Sequence, residues 1–119
     1  MIPFFFLSTL TWGQETYTSP LTQYWPTLFT TEFKEVNRKI FFDPNSITII
    51  SETAEGKEIE IFHIQEVKII EDTFTYFCLT KNKRKVTIAV PQQERVEIID
   101  LYRLSLESGE EVQFRFHVD

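Results

Sequence analysis

Residue types able to do acid–base, nucleophilic or soft-metal chemistry are scarce in this chain: two histidines, His63 and His117, and one cysteine, Cys78. Zinc sites need such ligands a few residues apart and repeated, and these three stand far apart along the sequence. Cys78 lies among aromatics in the middle of a strand-like run, the setting of an inert thiol rather than a nucleophile. His63 sits beside Glu66 where an alternating pattern falters, and His117 falls on the polar side of the last alternating run. Carboxylates gather around two turns, Glu52, Glu55, Glu58 and Glu60 at one and Glu107, Glu110 and Glu111 at the other. Neither group has the Asp-rich loop spacing of a calcium site, and both read as solvated turn faces. The sequence therefore nominates no catalytic residue, no metal site and no cofactor.

Two features suit recognition better than catalysis. Lys81-Asn82-Lys83-Arg84-Lys85 is the sole basic cluster; it could meet an anion or a lipid headgroup, or simply keep a hairpin tip soluble and unpaired. Tyr24 and Trp25 are the candidate ligand-binding residues. With Tyr17 they make either a ligand platform or an aromatic plug for one end of a barrel.

Composition narrows the class. The chain has 119 residues, one domain's worth, with 42% hydrophobic and 25% charged residues and an unusual 12 Phe against 3 Gly. Its net charge of −6 argues against a nucleic-acid partner, which needs clustered Lys and Arg. One cysteine excludes an intramolecular disulfide, so packing alone must hold the fold.

Residues 1–14 read as a secretory signal segment. Ile2 to Trp12 carries no charge and is too short to span a bilayer, and Thr11 and Gly13 are small residues suited to cleavage before Gln14. A basic n-region is missing, and the alternative is a buried N-terminal strand. Residues 15–37 read as a leader with an aromatic cap, exposed up to Gln23 because Pro20 discourages regular structure. Trp25 to Phe33 is left open between a short helix and an edge strand.

From Arg38 to Asp119 the pattern is a β-domain, and its centre is the hairpin Thr73 to Val90. Val86, Ile88 and Val90 alternate with Lys85, Thr87 and Ala89, the period of a half-buried strand. A four-residue loop over 81–84 sets Leu79 opposite Val86 and Phe77 opposite Ile88, the preferred register. A three-residue loop instead places Cys78 and Tyr76 beside Ile88 and Val90. The turn Asp43-Pro44-Asn45-Ser46 pairs Phe42 with Ile47 and Ile40 with Ile49. An odd loop at Thr53 to Gly56 pairs Ile49 with Ile59 and Ile47 with Ile61, leaving Glu58 and Glu60 to water, and a bulge is expected between His63 and Glu66. Odd loops further on pair Val90 with Val96, Ile88 with Ile98, Leu106 with Val112, Leu104 with Phe114 and Tyr102 with Phe116. Asp100 is then a misfit on an apolar face. Phe114 and Phe116 should be buried, while Arg115 and His117 face solvent.

Short turns between seven such runs exclude parallel order, which needs long crossovers. The expected fold is all-β: a small antiparallel up-and-down meander of about seven strands, closed into a barrel or barrel-like sandwich. From Arg38 onward the pattern resembles small exported β-proteins and lipocalin-like or pleckstrin-homology-like barrels. It departs from lipocalins at Gln23-Tyr24-Trp25, where their Gly-x-Trp has its glycine, and from pleckstrin-homology domains by ending in the strand Phe114 to Val118. The function expected is that of a non-enzymatic exported domain of a bacterial cell envelope, periplasmic or extracellular, binding a small apolar ligand or a protein, without stable membrane insertion. If residues 1–14 are structural, an intracellular pleckstrin-homology-like interaction module is the alternative.

Overall fold

A computed structural model describes residues 15–119; the expected signal segment lies outside them. Eight antiparallel strands form one closed barrel in simple up-and-down order. They are β1 (Glu15–Thr27), β2 (Thr30–Phe42), β3 (Ser46–Thr53), β4 (Gly56–Ile70), β5 (Thr73–Leu79), β6 (Lys85–Pro91), β7 (Ile98–Leu104) and β8 (Glu111–His117). The tips β1–β2, β3–β4, β5–β6 and β7–β8 share one end, called upper here, and the other connections lie at the lower end. Among the described residues no helix is long and apolar enough to cross a membrane.

Residues 15–37, read from sequence as a leader, make β1 and more than half of β2, which is how the strand total exceeds the seven expected. Pro20 does not end the strand. It sits where the β1–β2 ladder shifts between Ser19 and Leu21, and a bulge is where a residue without an N–H fits in a sheet. Of the two alternatives for Trp25 to Phe33, the structure has strand rather than helix: the stretch makes the β1–β2 hairpin, turning at Leu28-Phe29, and its β2 part is laddered to β1 alone.

The β2–β3 register is as expected, with Phe42 on Ile47 and Ile40 on Ile49. The bulge in β4 falls between Ile64 and Glu66, also as expected. Other registers differ, each for a local reason. At the β3–β4 tip Thr53 pairs with Gly56, so the loop is even, with Ile49 on Glu60 and Ile47 on Phe62. Gly56 has φ of 122°, which only glycine adopts without strain. That parity turns Ile59 outward, 62% exposed, and carries Glu58 and Glu60 to the lumen side.

In the central hairpin Leu79 meets Lys85, Cys78 meets Val86 and Tyr76 meets Ile88, so the preferred four-residue loop is replaced. Thr80 and Arg84 close a tip in which Lys83 takes the left-handed conformation, with φ of 63°. A type I turn followed by such a residue is a common hairpin closure, but its usual glycine is absent here.

β7 is turned over relative to expectation. Ile88 pairs with Leu101, and Leu101 and Ile99 face Phe114 and Phe116, while Ile98, Asp100 and Tyr102 look outward. Asp100 is thus no misfit. On the outer wall its carboxylate accepts two hydrogen bonds from Arg115, at 2.8 and 3.1 Å.

The core is the middle of the lumen: Ile40, Ile47, Ile49, Phe62, Val86, Ile88, Ile99, Leu101 and Phe116 are all buried. An eight-stranded barrel is just wide enough for side chains to fill it, as they do here. Of the apolar residues that the sequence pairings set opposite one another, Ile40, Ile49, Ile88 and Phe114 are inside, whereas Ile59, Phe77 and Ile98 lie on the outer face.

These parities predict a contrast between neighbours. Phe62→Ala should lower stability by roughly 3–5 kcal/mol in urea denaturation, the range for a buried Phe. Ile59→Ala should change it by about half a kcal/mol or less. Equal losses would place Ile59 in the core and restore the odd loop.

Candidate functional site

Two open recesses flank the filled middle. The upper one, about 580 Å³, runs between the end of β1, the β5–β6 tip and the β7–β8 hairpin. Its apolar wall is Tyr24, Val86, Val112, Phe114, Leu104 and Leu106, and Arg103, Arg84, Lys85 and Glu107 supply its charge. Tyr24 stacks on Phe114 with ring centroids 4.6 Å apart, and Arg103 lies 5.4 Å from the same Phe114 ring. Leu104 and Leu106, 62% and 75% exposed, carry this wall to the rim.

Strand parity explains the grouping. Thr22 and Tyr24 are paired with Phe116 and Phe114, so they share the lumen face of β1 and β8. Gln23 and Trp25 must then face outward. The structure therefore separates the two candidate residues: Tyr24 lines the upper recess, while Trp25 lies on the outer wall beneath the Arg115 guanidinium, 5.5 Å from its centre. Tyr17 is at the lower end, where its ring meets Phe42 edge-on at 5.6 Å. The three aromatics form no common platform.

Below the upper recess lies a polar layer. Arg103 donates to both oxygens of Glu60 at 3.0 and 3.2 Å, joining β7 to β4 across the lumen. Arg38 donates from Nε to Thr22 Oγ1 at 2.9 Å and from Nη1 to Ser51 Oγ at 2.6 Å, and its guanidinium lies 5.3 Å from the centre of the Phe116 ring. Burial lowers the Arg38 pKa, and the nearby carboxylates of Glu60 and Glu58 oppose that shift. Among the described residues no buried side-chain nitrogen or oxygen lacks a hydrogen-bond partner.

The residues able to do chemistry are not brought together. Cys78 points into the core, with its thiol against the Tyr76 carbonyl, and burial alone pushes it up to about 11. His63 is on the outer face opposite Leu79, the residue next to Cys78 but on the other side of the sheet. His117 bonds Gln23 at 3.1 Å on the outside of β8 and lies near the ring of Phe33. Among the described residues no three His, Cys, Asp or Glu side chains are placed to hold a metal ion.

Sequence reasoning missed Arg103, Arg38, Glu60 and Phe114 as members of a site. For Glu60 and Arg103 the available signal was parity: each belongs to the lumen face once its hairpin register is known. Compared with known proteins, the chain matches no family model, no curated protein and no solved structure.

Two consequences can be measured. Arg115→Ala, expected from sequence to be harmless, should cost about 1–3 kcal/mol in denaturation, because it leaves the buried Asp100 carboxylate unpaired. Arg115→Ala with Asp100→Asn should recover part of that loss. Stability should also fall with alkali: Cys78 is raised by burial, so its unfolded form ionises first and its contribution disappears as pH rises from 9 to about 11. Tyr17 and Tyr76 are raised in the same sense, by burial first, and add to the loss above pH 10. Urea midpoints across that range should decline less in Cys78→Ala than in the unaltered chain.

Proposed function

We propose that the protein is a non-enzymatic, lipocalin-like binding module that holds a small, largely apolar ligand with an anionic end in its upper recess. The observation that carries this reading is the recess itself: an open apolar wall of Tyr24, Phe114, Leu104 and Leu106 beside three cationic side chains, Arg84, Lys85 and Arg103. Ligand sites have this make-up, mostly apolar with a few placed polar groups. The eight-stranded up-and-down barrel supports the lipocalin comparison, although the Gly-x-Trp of that group is not present. Separation of Cys78, His63 and His117 supports binding over catalysis, since acid–base and nucleophilic chemistry need a second group within reach. Export to the cell envelope remains part of the proposal and rests on the charge-free run Ile2 to Trp12.

Isothermal titration with dodecanoate tests the reading, backed by native mass spectrometry of the protein as purified. Saturable binding is expected, weakened about tenfold in Tyr24→Ala through loss of ring contact and burial. Arg84→Gln with Lys85→Gln should weaken dodecanoate and spare dodecanol. Trp25→Ala should leave affinity unchanged and lower only stability. Absence of saturable binding by either amphiphile, or equal loss on Trp25→Ala and Tyr24→Ala in folded proteins, would refute it.

A protein partner is the second reading, and the β1–β2 arm favours it. Residues 30–37 of β2 are laddered to β1 alone, since β3 joins only at Arg38, and the tip residues Leu28 and Phe29 are 90% and 93% exposed. A free edge of this kind can accept an added strand. Cross-linking from Phe33 replaced by a photoreactive residue should then trap a partner along this edge.

A further inference from the structure

The lower end of the barrel differs in kind from the upper end. Its recess, about 770 Å³, is walled by four aromatic rings, those of Tyr17, Phe42, Phe74 and Tyr76. Phe42 is the centre of the group: Tyr17 meets it edge-on at 5.6 Å and Tyr76 at 5.3 Å. Three of these rings come from three different strands, β1, β2 and β5, held in place by the ladders that close the barrel. The rim carries the carboxylates of Glu15, Glu94 and Asp119 against one cation, Arg95. The Glu15 carboxylate accepts a hydrogen bond from the Tyr17 hydroxyl at 2.9 Å, which fixes negative charge beside the rings.

Aromatic faces carry negative potential and attract cations, most strongly where water is partly excluded. A quaternary ammonium is matched to such a wall, because its charge is spread over methyl groups that also bury apolar area. A carboxylate rim adds attraction without asking for a hydrogen-bond donor from the ligand. An anion finds the opposite: three carboxylates and the negative faces of the rings. The upper recess, with Arg84, Lys85 and Arg103 in its lining, has the reverse preference.

We infer that the lower recess is a second binding site, for a small organic cation of the quaternary ammonium class, seated against Tyr17, Phe74 and Tyr76 with its charge toward Glu15 and Glu94. Phe42 is buried and acts by holding Tyr17 and Tyr76 in position. The site is independent of the ligand proposed for the other end, and either can fail without the other.

Calorimetric titration with choline and with 3,3-dimethylbutan-1-ol, its uncharged carbon isostere, tests the inference on the unaltered chain. Choline should bind saturably and about tenfold more tightly than the alcohol, the preference expected of a partly desolvated cation–π site. Tyr76→Leu should weaken choline several-fold, whereas Tyr76→Phe, which keeps the ring, should not. Glu15→Gln should weaken it and reduce its salt dependence, and Arg95→Gln should tighten it. If Tyr76→Leu fails to fold, the isostere comparison and the rim variants Glu15→Gln and Arg95→Gln still decide the matter. Choline that does not saturate, an alcohol that binds as tightly, or rim variants without effect would each overturn the proposal.

Discussion

Everything else in this barrel depends on the first strand closing onto the last. β1 is laddered to β2 along its length and, from Leu21 to Trp25, to β8 as well. Without that second ladder β1 and β8 would both be open edges of a curled sheet, inviting association with other strands. With it, the inner faces of eight strands look at one another and a lumen exists. The middle is filled by branched and aromatic side chains, and an open recess lies at each end. Pro20 is the adjustment that lets one strand serve both neighbours. The shift beside it changes the alignment of β1 with β2 just where the β8 ladder begins.

The polar layer beneath the upper recess ties the registers of distant strands together. Sliding β4 by one residue against β3 would put Ile59 and Ile61 inside, a more apolar lumen and the arrangement that alternation alone suggests. It would also strip Arg103 of its carboxylate partner and move Glu60 out. The half-buried Arg103 guanidinium would lose two charge-assisted hydrogen bonds that the Glu60 carboxylate now accepts, a loss moderated by its access to solvent. Arg38 reinforces the same choice through Thr22 on β1 and Ser51 on β3. Charged residues thereby specify one register among several that hydrophobicity would accept.

That is also why the sequence could be read only in part. The all-β class and the up-and-down order followed from short turns and strict alternation, which left a barrel and a barrel-like sandwich both open, and the Asp43 to Ser46 hairpin was legible because turn type and apolar pairing agreed. The last strand was legible for a similar reason: Phe114 and Phe116 alternate with plainly polar neighbours. The run Ile98-Ile99-Asp100-Leu101-Tyr102 has apolar residues on both faces, and a single charge decided it through Arg115, a partner fifteen positions away. Turns without glycine hid their geometry. Glu71 and Asp72 both take positive φ at the β4–β5 tip, and Lys83 does so at the β5–β6 tip; of these only Asp72 is of a type that favours such turns. Tyr24 and Trp25 were equal candidates in the sequence, and only Tyr24 lines a recess, because neighbours in a strand face opposite ways and the sequence assigns no parity to β1.

The two ends of the lumen acquire opposite character in a chain whose net charge is −6. At physiological ionic strength, charges more than about 8 Å apart are largely screened, so the whole-chain charge says little about either mouth. What a ligand meets is local. At the upper end Arg84, Lys85 and Arg103 outnumber the Glu60 and Glu107 carboxylates beside them, and at the lower end Glu15, Glu94 and Asp119 outnumber Arg95. The aromatic rings sharpen the contrast in different ways: Phe114 already has Arg103 against its face, whereas Tyr17 and Tyr76 turn their rings toward Phe42. The filled middle of the barrel keeps these two environments apart, since any ion crossing it would have to leave water among Ile40, Ile49, Ile88 and Leu101.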